Sequence, residues 1–235
     1  MTFCEIGVLN GGSLFMWRNY FGADTRIIGI DLNPEAKKWE THGFEIFIGN
    51  QGDEKFWKNT LSYIGKIDVL LDDGGHTYKQ QVVTVESVLD SISDDGIIVI
   101  EDVQTSYLKG FGPRKYSFIN YTKYLIDRIN LRSGELIKFK NKKTIIWSIQ
   151  TFESIVAFHI NRLKANVKST RVVNIPNELI TIDYRYLDNK VFNSAKIYQI
   201  KKLKRFKLVK TVGFKFLRAV SYIDSLKSGY RRYFK

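Results

Sequence analysis

Residues 2–31, TFCEIGVLNGGSLFMWRNYFGADTRIIGID, decide how the rest of the chain is read. Phe3 to Val8 is a short apolar run broken by Glu5. Gly7, Gly11 and Gly12 interrupt it, and Leu14 to Tyr20 resumes the apolar residues at helical spacing. Arg26 to Ile30 is a second apolar run, closed by Asp31. A glycine turn lets a ligand approach the backbone, because no Cβ stands in the way. An acidic residue ending the next strand, about 20 residues on, can accept hydrogen bonds from ribose hydroxyls. The stretch predicts strand, turn, helix and strand around a nucleoside-containing ligand, with an ordinary strand–helix turn as the plainer alternative.

The glycine spacing narrows the ligand. Neither GxGxxG nor GxxxxGK[ST] is present, and a pyrophosphate wants tightly spaced glycines against a helix N-terminus. The looser ExGxxxGGS turn, with Gly7 and Gly11 at its ligand side, suits S-adenosylmethionine, whose amino-acid part needs polar contacts instead.

Working outward, FEIFIG (44–49) is a third run, followed by Asn50, Gln51, Gly52 and Asp53. Phe56 to Tyr63 predicts a modest helix. Ile67 to Leu71 is a strand, apolar but for Asp68, entering Asp72, Asp73, Gly74, Gly75 and His76. Tyr78 to Ile92 has helical periodicity, and Asp94, Asp95 and Gly96 predict a turn. Ile97 to Ile100 is a strand ending in Glu101 and Asp102. Residues 103–115, VQTSYLKGFGPRK, form a candidate lid; Tyr116 to Asn130 reads as a helix, and Thr144 to Ile149 and Ser154 to Ile160 as two strands. Apolar runs without alternation, separated by helices, argue for a parallel sheet buried on both faces. Ligands of such sheets sit beyond the carboxyl ends of the strands, where these polar residues collect. The expected fold is α/β and Rossmann-like, a mostly parallel sheet of about seven strands with helices on both faces. Its domain spans 1–161, and a basic helical extension spans 162–235. Helical material usually precedes the first strand of such domains; here that strand begins almost at Met1, so either the start is missing or the domain does without that cover.

Composition excludes other classes. The chain has 235 residues, 44% apolar and 26% charged, which suits a globular domain with an appendage. A single cysteine, Cys4, rules out an internal disulfide framework and a cysteine zinc site, and its place in the first strand marks it as core. No run approaches the ~18 apolar residues of a membrane span. The N-terminus lacks the basic start of a signal peptide, so a reducing, cytoplasmic setting is expected. The net charge of +13 sits almost wholly in residues 196–235, which hold 13 Lys or Arg and one acid, Asp224.

The strand ends carry the chemistry. Asp31, Asp72 with Asp73, and Glu101 with Asp102 arrive at one edge, and carboxylates brought together repel unless a cation sits among them. Mg²⁺ takes oxygen ligands and keeps positions for substrate oxygens, so Asp73, Glu101 and Asp102 can hold one ion. Asp72, counted on the cofactor side, is read first as a brace for its own loop. His76 lies three residues after Asp73, and an imidazole there can take the proton of a hydroxyl under methylation. His42, in an expected surface turn, and His159, in the last strand, receive no role.

EIGVLNGGSL, GIDLNP, IGNQGD, DVLLDDGGH and IVIEDV, in this order, resemble the class I S-adenosylmethionine-dependent methyltransferases. Within them the chain looks most like the metal-dependent sugar O-methyltransferases of the macrocin and mycinamicin type. The resemblance covers residues 2 to about 161. It implies that Glu5 and Gly7 line the methionine part, that Asp31 holds the ribose, and that Gln51 and Asp53 flank the adenine. It implies Asp73, Glu101 and Asp102 as metal ligands and His76 as general base. The expected activity is Mg²⁺-assisted methylation of a sugar hydroxyl in polysaccharide, glycoconjugate or glycosylated-metabolite biosynthesis. The alternatives are an RNA or small-phenol acceptor, or a catalytically degenerate fold serving as a membrane-associated scaffold.

From Lys196 onward, apolar residues recur every three or four positions between basic ones, predicting an amphipathic helix with a possible break at Gly213. A strand over Leu179 to Tyr186 is a weaker expectation. The helix packs on its own domain or a second subunit as a homo-oligomer, or lies on anionic lipid at the inner face of the membrane. Tyr222, Tyr230 and Tyr233 interleave with basic residues, but no recognition motif supports nucleic acid as a partner.

Overall fold

In the computed structural model of the chain, residues 1–131, 145–167, 207–227 and 230–233 are described. Seven strands form one sheet in the order β3-β2-β1-β4-β5-β7-β6. They are β1 (Thr2–Ile6), β2 (Arg26–Asp31), β3 (Glu45–Ile48), β4 (Ile67–Asp72), β5 (Ile92–Ile100), β6 (Ile146–Phe152) and β7 (Ile155–Ile160). Strands β1 to β5 are parallel, and β7 runs antiparallel to both β5 and β6. The helices are α1 (Gly12–Phe21), α2 (Glu54–Ile64), α3 (Tyr78–Val88), α4 (Phe118–Asn130), α5 (Arg162–Asn166) and α6 (Lys207–Lys227).

Alternation along the parallel strands builds two cores. Cys4, Ile6, Ile28, Ile30 and Leu70 pack with Trp57 of α2, Val85 of α3 and Phe118 of α4. Phe3, Ile27, Ile46 and Leu71 pack on the other face with Leu14 of α1 and with Ala36 of a 3-10 helix, Pro34–His42. Burial on both faces explains why the strands read as continuous apolar runs. Cys4 is core, as its position predicted. His42 ends the 3-10 helix instead of lying in a turn, its ring 5.3 Å from that of Phe15.

The chain leaves β1 toward β2 and β3, then returns to β4 on the other side of β1. The crevice at that reversal is where open parallel sheets bind ligands. Its two lips touch directly. The Gly7 N–H donates to the Ile30 carbonyl at 2.9 Å, and the Asp73 N–H donates to the Ile6 carbonyl at 3.0 Å. Gly7 has φ 94°, and a Cβ there would collide with the Asp73 carbonyl.

Two local expectations need correction. Asp94, Asp95 and Gly96 are not a turn: they lie inside β5, which begins at Ile92, beside a register shift between Ile67 and Val69. Asp95 takes φ 64°, and Asn161 Nδ2 donates to its carboxylate at 2.7 Å. The polar residues form a bulge, held by the start of α5, so turn chemistry was satisfied within the strand. Helix α6 is unbroken at Gly213, because a glycine weakens a helix by only about 1 kcal/mol and removes no backbone donor. The helix expected over 196–206 and the strand over Leu179 to Tyr186 lie outside the described residues.

The chain divides into two compact units, Met1–Thr170 and Arg171–Lys235. Asn161, the expected domain end, caps α5 within the first unit. No helix among the described residues is long and apolar enough to cross a membrane.

Candidate active site

The carboxyl ends of β1, β2, β3 and β4 surround one cleft of about 440 Å³. Gly7, Asp31, Gln51, Asp73 and His76 line it, together with Leu9, Leu32, Asn50, Gly74, Gly75 and Gln80. Leu9 and Leu32 are exposed apolar side chains on this wall, 81% and 67% accessible. The cleft joins the nucleoside side of the site, at Asp31, to the acidic side, at Asp73 and His76.

Asp31 shapes its end of the cleft through the backbone. One carboxylate oxygen accepts the N–H groups of Val8 and Leu9, both at 2.9 Å, and the other accepts that of Asn33 at 2.8 Å. Asp31 thus ties the turn after β1 to the end of β2, and each carboxylate oxygen has further lone-pair capacity. Leu9, in the middle of that turn, has a left-handed φ of 47°.

Gln51, on the cleft wall, and Asp72, behind it, form a buried brace. Gln51 Nε2 donates to both Asp72 carboxylate oxygens, at 2.8 and 2.9 Å, and Gln51 Oε1 accepts the Gly75 N–H at 2.9 Å. The Gln51 carbonyl accepts the Trp57 indole N–H at 2.8 Å. Burial pushes the Asp72 carboxyl up, with the Gln51 and Gly74 donors opposing. A Cβ on Gly74 would meet the Gln51 side-chain oxygen, so this brace needs glycine. Asp72 is off the cleft lining, in keeping with the bracing reading.

Three other expected cofactor residues are also off that lining. Glu5 is 2% exposed; its oxygens accept the Ser13 hydroxyl at 2.8 Å and the Trp17 indole N–H at 3.1 Å. Burial pushes its carboxyl up, with those two donors opposing and the charges of Asp73 and Glu101 adding to the rise. Gly11 has φ 72° and faces the Trp39 ring, so its turn lets α1 start against aromatic packing. Asp53 caps α2, accepting the Lys55 N–H at 2.9 Å, and is exposed beside the cleft. The carboxylates of Glu5 and Asp53 thus each accept hydrogen bonds from a neighbouring helix, α1 and α2.

At the acidic end, Asp73, His76 and Asp102 bring one ligand atom each within 4.8 Å of one another. His76 Nε2 lies 3.3 Å from Asp102 Oδ2. Gln104 Nε2 donates to Asp102 Oδ1 at 2.9 Å. Partial burial of its carboxyl pushes Asp73 up, and the Asp102 charge adds while His76 opposes. Burial and then the charges of Asp73 and Asp102 push Glu101 up as well. Glu101 therefore feels the cluster but stands outside the 4.8 Å set, and His76, expected as base, stands inside it. The oxygen-rich donor set, with one imidazole, fits a hard divalent cation.

Sequence reasoning missed Leu9, Leu32 and Gln80 on the wall, and missed Tyr78 and Thr105 beneath the acidic end. Gln80 alone left a signal: Thr77 and Gln80 are the T-x-x-Q of a capping box that starts α3. The 103–115 segment, the candidate lid, is fastened to α3. The Tyr78 hydroxyl lies 3.1 Å from the Thr105 carbonyl, and the Tyr78 N–H donates to the Phe111 carbonyl at 3.2 Å.

Comparisons with known proteins point the same way. Residues 4–103 match the family model described as a methyltransferase domain. The chain is 34% identical over 107 residues to the 8-demethyl-8-(2-methoxy-alpha-L-rhamnosyl)-tetracenomycin-C 3'-O-methyltransferase of Streptomyces olivaceus, covering 43% of this chain and 26% of that protein. It is 30% identical over 125 residues to the mycinamicin VI 2''-O-methyltransferase of Micromonospora griseorubida, covering 51% and 31%. Among solved structures, the MycE methyltransferase of the mycinamycin biosynthetic pathway, in complex with Mg, SAH and mycinamycin VI, superposes with TM-score 0.65 at 25% identity. That match covers 80% of this chain and 49% of MycE. The matched region thus spans 26% and 31% of these two curated relatives. The sheet is the Rossmann-like methyltransferase fold that the sequence predicted.

Proposed function

We propose that this chain, which carries a methyltransferase domain across residues 4–103, is an S-adenosylmethionine-dependent O-methyltransferase that acts on a sugar hydroxyl with the help of Mg²⁺. One observation carries the reading: a single cleft runs from Asp31, at the end of β2, to the Asp73, His76 and Asp102 cluster. A nucleoside-bound methyl donor and a cation-held hydroxyl would then meet inside one cavity. The relatives named above are sugar 2''- and 3'-O-methyltransferases, and MycE was solved with Mg and SAH. Those names support a glycosylated metabolite as the acceptor class, with a polysaccharide or glycoconjugate sugar as the wider possibility.

When bound, S-adenosylmethionine supplies an electrophilic methyl group, and the divalent cation lowers the pKa of the hydroxyl it touches. The rest falls to the chain's own side chains. Asp31 keeps the turn after β1 in place, so the ribose meets a preformed wall beside Leu9 and Leu32. Asp73 and Asp102 hold the cation, with Glu101 adding negative charge beside them. His76, within 3.3 Å of Asp102, accepts the hydroxyl proton, and the Asp102 carboxylate stabilises the imidazolium that results. The walls orient donor and acceptor for in-line displacement, which supplies much of the rate.

Transfer of labelled methyl from S-adenosylmethionine to a panel of deoxysugar glycosides, with and without Mg²⁺, tests the proposal. Mg²⁺-dependent label on a sugar oxygen supports it. Label that appears equally in EDTA, or only on RNA or phenols, overturns it.

A peripheral membrane location is the second part of the reading, and it rests on the charge of residues 196–235 and on Phe216, Tyr222, Ile223 and Leu226, all exposed along α6. Basic and apolar side chains together favour anionic lipid. Co-sedimentation with vesicles containing phosphatidylglycerol, lost in high salt, is the expected result; equal binding to neutral vesicles, or none, contradicts it.

A further inference from the structure

Strand pairing between β4 and β5 reaches Asp72 opposite Ile100, and the Glu101 N–H still donates to the Asp72 carbonyl at 2.9 Å. Beyond that point no ladder fixes the spacing of the two loops that carry His76 and Asp102. Both residues have left-handed backbones, φ 55° and 54°, which L-residues with side chains disfavour. Something must hold them there.

Thr105 is placed to do so. It is buried, and its hydroxyl lies 2.8 Å from the Asp102 carbonyl oxygen and 3.2 Å from the His76 carbonyl oxygen. A threonine hydroxyl has one proton, so this is a donor shared between the two loops. The Thr105 N–H donates to the Asp102 carbonyl as well, at 3.1 Å. Thr105 is itself fastened from behind: the buried Tyr78 hydroxyl sits 3.1 Å from the Thr105 carbonyl and 3.2 Å from that of Leu108. Tyr78 begins α3, two residues after His76, so one side chain anchors both sides of the gap.

We infer that Thr105, held by Tyr78, is a positioning residue that sets the separation of His76 and Asp102, and so places Asp102 in the cation site and the His76 ring beside it. It touches neither cation nor acceptor; it acts through the backbones of two residues that do. The inference rests on the cation reading of the proposed function.

The test uses the full chain with Mn²⁺ as the probe, followed by electron paramagnetic resonance, and S-adenosylhomocysteine binding measured separately by calorimetry. Thr105→Val should weaken Mn²⁺ binding about tenfold and alter the bound-ion spectrum, as loss of a group behind a metal site does. Thr105→Ser keeps the hydroxyl and should restore both to within about twofold. S-adenosylhomocysteine affinity should stay unchanged in both variants. Undiminished Mn²⁺ binding in Thr105→Val, equal impairment in Thr105→Ser, or a parallel loss of S-adenosylhomocysteine affinity would each overturn the inference alone. Should Thr105→Val fail to fold, Tyr78→Phe carries the test: a loss of about threefold in Mn²⁺ affinity supports the inference and no loss overturns it. A parent chain that binds no Mn²⁺ overturns the cation reading and this inference with it.

Discussion

At one end of the cleft the Asp31 carboxylate accepts three backbone N–H groups, while at the other the Asp73 carboxylate has no hydrogen-bond donor among the described residues. Asp31 works on the protein itself, pinning the turn after β1 against β2. Burial raises the protonation range of Asp73 and Glu101, the charge of Asp102 adds to both, and His76, the one imidazole among them, opposes. The first end is built to keep a shape, and its polar groups are nearly satisfied before any ligand arrives. The second keeps unbalanced negative charge in reserve for a cation. Under the proposed function, a methyl donor that already carries its leaving group would need mainly positioning and a sugar hydroxyl would need activation, which the two ends would suit.

His76→Ala attacks the acidic end hardest. Turnover should fall by about 10²–10⁴-fold, the usual worth of a general base, while S-adenosylhomocysteine affinity holds. Steady-state methyl transfer and calorimetry check the two halves, and unchanged turnover would remove His76 from its role. Gly7→Ala should blur the comparison, since Gly7 touches both ends. Its Cβ would collide with the Asp73 carbonyl at a positive φ, costing about 2–4 kcal/mol of folding stability and weakening both ligands; denaturant unfolding reads the first effect. Asp31→Ala should act on one end only. It orphans three N–H donors, and S-adenosylhomocysteine affinity should fall by about 10–100-fold with Mn²⁺ affinity nearly unaltered.

Asp73→Asn should give the smallest effect on metal-free stability and the sharpest contrast. The folded pKa of Asp73 is raised, so its charge costs stability at neutral pH, and that cost is relieved as pH falls through the raised pKa. Removing the charge should raise the metal-free melting temperature by about 1–2 °C, a modest figure because solvent screens the group. The same substitution should abolish the stabilisation that Mg²⁺ gives the parent. For the same reason Mg²⁺ binding by the parent should begin to fail at a higher pH than ordinary carboxylates would impose. A melting temperature that drops in Asp73→Asn would place Asp73 with Asp31 as a structural group.

The fold was legible because its strands are buried on both faces: runs such as Ile97 to Ile100 admit little else. Asp31, Gln51, Asp73, His76 and Asp102 were legible because polar residues just past strand ends must gather at one edge. What the sequence hid was which donor each carboxylate would find. Glu5 and Asp53 look like ligand groups by position, and the sequence did not show that Ser13, Trp17 and the N-terminus of α2 also donate to them. The left-handed backbones of His76 and Asp102 left no trace, since neither residue type announces that conformation as glycine would. Thr105 and Tyr78 were invisible for a related reason: their roles depend on carbonyls 29 and 30 residues away.

Calorimetric titration of S-adenosylhomocysteine into the chain, with and without Mg²⁺ and with NAD as control, tests the central claim that one cleft serves a nucleoside methyl donor beside a divalent cation. The account predicts binding of S-adenosylhomocysteine and not of NAD, with Mg²⁺ binding separately and still measurable once S-adenosylhomocysteine is bound. Binding of NAD in its place, or no binding of S-adenosylhomocysteine or of the ion, would contradict it.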